Sequence, residues 1–189
     1  MIAIPDRLYM TPHQYLDWEE QQELKYEYIA GEVIAMTGGT IPHNDAAFNL
    51  AAALKNHLRG KGCKVQIADG KVGISEQGSF HYPDVMVSCD QRDRKAKKAI
   101  YYPCLIVEVL SPGTERFDRG RKFQNYRQIA TLQEYVLISL EQKIIECFRL
   151  NERGVWELHT YTDELELTSV NFRCAVDAVY EDVLLGEEE

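Results

Sequence analysis

With 189 residues, 45% of them hydrophobic, the chain has the size of one domain and enough apolar side chains to bury a core. Its net charge of −9 argues mildly against a nucleic-acid partner, and no apolar run approaches the roughly 18 residues of a membrane span. The N-terminus, Met1-Ile2-Ala3-Ile4-Pro5-Asp6, lacks the pattern of a signal peptide, and the five scattered cysteines (Cys63, Cys89, Cys104, Cys147, Cys174) form no Cys-x-x-Cys pair. A reduced, cytoplasmic protein that uses cysteine as a small hydrophobe, with no zinc site and no membrane contact, is the expectation.

In chain order, Thr11-Pro12 reads as the cap and first position of a helix ending near Gln21. Lys25 to Met36 alternates around Ala30-Gly31, the pattern of a hairpin with a short turn. Gly38-Gly39 breaks the chain, and Pro42-His43-Asn44 opens a second helix with the stripe Ala47, Leu50, Ala51, Leu54 and Leu58. Three strands are expected next, at 63–75 (interrupted by Asp69-Gly70), 84–88 and 105–110. The last is apolar on both faces apart from Glu108, which suits a central strand. A basic helix over 118–130 follows, with Phe123, Tyr126 and Ala130 inward. Then come a strand at 135–140, hairpin segments at 143–150 and 155–161, a short helix at 176–185 and an acidic tail. This order predicts an α/β (α+β) fold with a mixed central sheet, the basic helix being the crossover between the strands of Glu108 and Tyr135.

Two acids stand out because they interrupt apolar strands: Asp84 in His81-Tyr82-Pro83-Asp84-Val85-Met86-Val87, and Glu108 in Leu105-Ile106-Val107-Glu108-Val109-Leu110. Burying a carboxylate is unfavourable unless something compensates it, and a divalent cation would compensate both. Mg²⁺ takes one or two protein carboxylates and activates water for attack on a phosphoryl group, and a nearby lysine would stabilise the transition-state charge. Charge is also uneven: residues 92–127 hold ten basic and four acidic residues, net +6, so the remainder sums to −15. Such a basic segment could meet a phosphate backbone, although the stretch 91–98 taken alone reads better as a solvated loop.

These residues carry a resemblance. Pro83-Asp84, then Glu108-Val109-Leu110, then Asp118-Arg119-Gly120-Arg121-Lys122 and Tyr126-Arg127 resemble the PD-(D/E)XK nuclease superfamily. Over about residues 11–150 the chain is similar, more narrowly, to a family of small restriction-endonuclease-like proteins of bacteria. That family shares a Tyr-Glu hairpin like Tyr26 to Glu32, a helix opened by a histidine as at His43, and Glu-Val-Leu-Ser-Pro, here Glu108 to Pro112. The resemblance implies a restriction-endonuclease-like core with an N-terminal hairpin and C-terminal β-hairpins. Within one domain, 1–189, residues 11–42 would be the N-terminal helix and hairpin, 43–140 the nuclease core, and 141–189 the C-terminal hairpins and helix. Asp84, Glu108 and Lys122 are implied as catalytic residues. Asp84, Glu108 and Glu27 are implied as ligands of Mg²⁺ or Mn²⁺, with Glu32 and His43 as weaker candidates for the third position. The pattern departs at Leu110, where the superfamily has lysine, so that role passes to Lys122 on the next helix.

The leading expectation is therefore a metal-dependent endonuclease acting on DNA as a homodimer, since a twofold protein matches duplex symmetry. A catalytically inactive nucleic-acid-binding module with the same fold is the alternative, motivated by Leu110 and the acidic overall charge. A hydrolase of small phosphate esters is disfavoured, because the chain has no Gly-rich phosphate loop.

Overall fold

The computed structural model describes residues 10–36, 38–75 and 78–186; the expectations for the extreme N-terminus and the acidic tail fall outside these. Thr11 and Gln14 form a capping box that, with Pro12, starts α1 (Pro12–Glu19). β1 (Tyr26–Ile29) and β2 (Glu32–Ala35) make the expected hairpin, and Ala30 and Gly31 both hold positive φ in its two-residue turn. Thr40 caps α2 (Ile41–His57), and the stripe from Ala47 to Leu58 is buried as its spacing predicts.

β3 (Lys64–Ile67), β4 (Val72–Gly73), β5 (Phe80–His81), β6 (Val85–Ser88) and β7 (Leu105–Val109) follow. The strand expected over 63–75 is thus two strands in different sheets. The Gly70 N–H closes a turn on the Ile67 carbonyl, with Ala68 at positive φ, and this redirects the chain. The basic helix spans α3 (Glu115–Phe117), a π-helical turn over Asp118–Lys122, and α4 (Phe123–Tyr126). It ends before the expected Ala130, which is exposed; the turn that follows brings Ile129 inward instead.

β8 (Glu134–Ile138) runs parallel to β7, so this helix is the crossover between them. β9 (Ile145–Leu150) and β10 (Trp156–Tyr161) continue antiparallel. The hairpin of β11 (Glu164–Leu167) and β12 (Phe172–Ala175) was not expected from the sequence. The terminal helix α5 (Val176–Val179) is a single turn rather than the expected 176–185. Its Tyr180 hydroxyl leaves the helix to donate to the Ser139 and Ile144 carbonyls, and Asp182 takes positive φ.

The strands form a mixed six-stranded sheet, β10-β9-β8-β7-β6-β3, a four-stranded sheet, β2-β1-β5-β4, and the β11-β12 pair. Alternation along the central strands sorts their side chains between two cores. Val85, Val87, Leu105, Val107 and Val136 pack against α2 and α5. Met86, Ile106, Leu110, Tyr135 and Leu137 pack with Tyr126 and Phe123 of the crossover helix. Stacked rings of Tyr15, Tyr28 and Phe80 join α1 to the four-stranded sheet.

Two buried polar networks fasten the periphery. Glu19 accepts from Lys71 Nζ at 2.8 Å and from the Tyr82 hydroxyl at 2.5 Å, tying α1 to the second sheet. Fully buried Glu134 accepts from Arg149 Nε at 2.8 Å and from the backbone N–H groups of Thr168 and Ser169, which anchors the β11-β12 pair to β8.

The expectation of five reduced cysteines is corrected: Cys63 and Cys89 form a disulfide. The register Lys64↔Ser88 of the antiparallel β3–β6 pair, extended by one residue, sets these two opposite each other, a tertiary fact invisible in their spacing of 26 residues. Cys104 and Cys147 are buried thiols, as expected. No helix among the described residues is long and apolar enough to cross a membrane.

Candidate active site

The β6–β7 register pairs Val85 with Val107, and one further step sets Asp84 opposite Glu108. Directly opposed residues share a face, so the two acids sit at the same end of the two central strands. Glu108 is on the face that carries Ile106 and Leu110, beneath the crossover helix. The π turn presents two inward side chains to it. Lys122 Nζ lies 3.1 Å from Glu108 Oε1 and 3.1 Å from Asp118 Oδ1. The same amine lies 3.5 Å from Glu27 Oε1, which arrives from β1 of the other sheet. π turns are frequent at functional sites.

A second set of groups holds these acids. The Tyr126 hydroxyl donates to Glu108 Oε1 at 2.8 Å. His81 Nδ1 lies 3.2 Å from Glu27 Oε1, and the Tyr82 N–H donates to that oxygen at 3.4 Å. The Asn125 amide meets His81 Nε2 at 3.0 Å, on the side of the ring away from Glu27. Asp84 Oδ2 accepts the Val109 N–H at 2.7 Å and lies 3.3 Å from His43 Nε2. Gly39 packs on that histidine; a Cβ there would come within 2.7 Å of Nδ1.

Burial makes the charges strongly interdependent. Glu27, Glu108, Asp118 and Lys122 are 6%, 2%, 1% and 8% exposed. Burial, with the neighbouring charges of Asp84, Asp118 and Glu27, pushes the Glu108 carboxyl well above the usual range against the opposing pull of Lys122. For Lys122, burial is outweighed by Glu108, Glu27, Asp118 and Asp84, so the amine is held protonated. For Glu27, burial is outweighed by His81, Lys122 and the Tyr82 N–H, and its carboxyl is held low. For His43, burial is outweighed by the Asp84 carboxylate, which raises its imidazole.

Three carboxylates in contact with one lysine, and Asp84 beyond them, leave surplus negative charge, and this surplus together with burial pushes the Glu108 carboxyl up. A hard divalent cation fits this all-oxygen set. Among the described residues no three His, Cys, Asp or Glu side chains are grouped, as they stand, to hold a metal ion, so a bound cation would draw much of its shell from water, as Mg²⁺ does. Access is through a cavity of about 270 Å³ lined by Glu27, Met36, Gly113, Thr114, Phe117 and Lys122. A larger cavity of about 590 Å³, lined by Thr40, Leu110, Ser111 and Leu140, contains none of the four acids.

Of the residues singled out in the sequence, Glu27, Glu108 and Lys122 come together directly, and Asp84 adjoins them through Val109 and His43. Glu32 lies opposite Ile29 at the turn end of the hairpin, whereas Glu27 pairs with Ile34 further along. Leu110 belongs to the apolar core beside Glu108, and the amine enters from the helix instead. Sequence reasoning quoted Asp118 and Tyr126 in the motif but gave neither of them, nor His81, a place in the site. The first two were detectable from the four-residue spacing Asp118, Lys122, Tyr126; nothing local marks His81. The basic segment is partly neutralised: Arg92 pairs with Asp90, Lys98 with Asp17 and Glu20, and Arg119 with Glu115 and Glu146.

Residues 12–176 match a family model, Uma2, described as "Putative restriction endonuclease". The chain is 42% identical over 173 residues to "Uncharacterized protein slr1290" of Synechocystis sp. (strain ATCC 27184 / PCC 6803 / Kazusa), covering 90% of this chain and 91% of that one. It is 36% identical over 140 residues to "Uncharacterized protein sll1609" of the same organism, covering 73% and 79%. A crystal structure from Anabaena variabilis, described as "a putative nuclease belonging to DUF820", matches with a TM-score of 0.75 at 13% identity, over 93% of this chain and 99% of that one. The fold is therefore that of the nuclease-like structure.

Proposed function

Because this chain belongs to the Uma2 family, described as "Putative restriction endonuclease", we propose that it is a metal-dependent endonuclease that hydrolyses phosphodiester bonds in DNA. Asp84 and Glu108 would hold Mg²⁺ or Mn²⁺, with Glu27 as the third carboxylate. Such a cation, when bound, supplies Lewis acidity to a phosphoryl oxygen and lowers the pKa of water. Lys122, held protonated, stabilises the charge that develops on the phosphate rather than acting as a base. His81 and the Tyr82 N–H orient Glu27, Tyr126 orients Glu108, and His43 with the Val109 N–H orients Asp84. The observation that carries this reading is the shared contact of Lys122 Nζ with carboxylates from β1, β7 and the π turn.

The test is supercoiled plasmid incubated with pure protein in Mg²⁺ or Mn²⁺. Nicked and linear DNA should form, EDTA should stop it, and Asp84→Ala, Glu108→Ala and Lys122→Ala, checked for native circular dichroism, should lose it. Equal cutting by wild type and all three variants would refute the assignment. Leu110 at the usual lysine position favours a second reading, a non-catalytic DNA-binding module. That reading requires salt-sensitive DNA binding with no calorimetric Mn²⁺ binding.

A further inference from the structure

β10 is an edge of the six-stranded sheet. On β9, the Leu150 N–H donates to the Gln133 carbonyl on the β8 side, and the Asn151 N–H donates to Val155 on the β10 side. Odd-numbered β9 residues therefore address β10. Their partners Glu157, His159 and Tyr161 turn their peptide groups back to β9. Trp156, Leu158 and Thr160 are left with N–H and C=O groups pointing outward, where the sheet order supplies no further strand among the described residues. Edges of this kind are usually blunted by lysine or proline, and Trp156-Glu157-Leu158-His159-Thr160-Tyr161 contains neither, whereas β3, the opposite edge, starts with Lys64. Leu158, at the centre of β10, is 52% exposed.

We propose that β10 pairs antiparallel with β10 of a second copy of this chain, about a twofold axis through Leu158. The two six-stranded sheets then become one continuous sheet. The outward-facing residues are symmetric about Leu158. Leu158 meets the partner's Leu158 as a hydrogen-bonded pair, and Trp156 meets the partner's Thr160 on each side of the axis. Every outward N–H and C=O of the three residues is satisfied, and the two exposed leucines bury each other.

Charge selects this register. Glu157 comes opposite the partner's His159, twice, an acid beside an imidazole rather than beside another acid. Sliding the axis to Thr160 would set Glu157 opposite the partner's Asp163, two like charges. Sliding it to Trp156 would set Leu158 opposite the partner's Gly154, in the loop beyond the strand. The pairing does not depend on the activity proposed above, and its test is separate.

Sedimentation equilibrium of the full chain at about 50 μM should give twice the 21.8 kDa mass of the monomer. Leu158→Pro removes an N–H that faces solvent in the single copy and so leaves the β9 ladder intact. It should yield a monomer with unchanged circular dichroism, and Leu158→Lys should weaken association at least about tenfold. Leu158→Cys should cross-link to itself with a short bifunctional thiol reagent, since a hydrogen-bonded antiparallel pair lies about 5.5 Å apart at Cα. A monomeric wild type, a dimer that survives both Leu158→Pro and Leu158→Lys, or a Leu158→Cys dimer that does not cross-link would each overturn the proposal.

Discussion

Replacing Lys122 with methionine keeps the length of the side chain and deletes one buried charge. The amine contacts Glu27, Glu108 and Asp118 at 3.5, 3.1 and 3.1 Å, and all four groups are buried. Breaking a buried ion pair from one side costs about 3–5 kcal/mol, because the remaining charge is left uncompensated. Glu108 already has its carboxyl pushed well up, and it can absorb part of that cost by holding a proton. The loss expected near neutral pH is thus at the lower end, about 3 kcal/mol. A carboxyl whose folded pKa lies above its unfolded value keeps a proton that the unfolded chain gives up. Stability therefore falls as pH rises from the unfolded value of 4.5 toward the folded one, and the fall should be steeper in Lys122→Met than in wild type. Mn²⁺ offers the same acids a replacement charge. At a hundredfold excess over its Kd it would add about 2.7 kcal/mol, and the variant, lacking the competing amine, should gain more than wild type. Urea unfolding of both proteins in EDTA and in Mn²⁺, across pH 5 to 8, measures all of this (the range is roughly that between carboxylate and histidine titration). Identical urea midpoints for variant and wild type in EDTA, with no extra gain from Mn²⁺, would refute the account of the acid cluster.

Tyr126→Phe removes the hydroxyl that donates to buried Glu108 and should lower stability by about 1–3 kcal/mol in urea titration, with the fold unchanged by circular dichroism. Glu19 has its carboxyl held low because Lys71 and Tyr82 outweigh burial, so its stabilisation is complete above the unfolded value of 4.5 and disappears as pH falls through the lower folded value. Glu19→Gln should accordingly show a shallower acid limb in thermal unfolding; an unchanged limb would contradict the assignment. Cys63→Ser opens the bond that closes the 26-residue separation to Cys89 and should cost about 3 kcal/mol in non-reducing buffer, an effect that reductant erases. Thiol titration of the denatured, unreduced wild type should count three of its five cysteines as free.

Asp84 and Glu108 were legible because their signal is local: each is an acid in an apolar β-forming run, and strand parity limits where it can point. Lys122 was singled out through the resemblance, which moves the lysine role from position 110 to the basic helix. Even the hairpin carrying Glu27 announced itself at Ala30-Gly31, whose positive φ suits its tight turn. The choice between Glu27 and Glu32 was not written there, since it depends on how the four-stranded sheet seats against the central one. His81 was missed for the same reason: its partner Glu27 is 54 positions away in the chain.

The amino-acid order alone determined the alternating elements, the buried stripes and the two acids that needed compensation, because hydrophobic period and desolvation act over a few neighbouring residues. The tertiary structure decided which charges share one amine, which cysteines face each other, and which strand is left with unpaired edge groups. Those outcomes follow from the register of strands and the packing of two sheets, where a shift of one residue would turn every side chain to the opposite face.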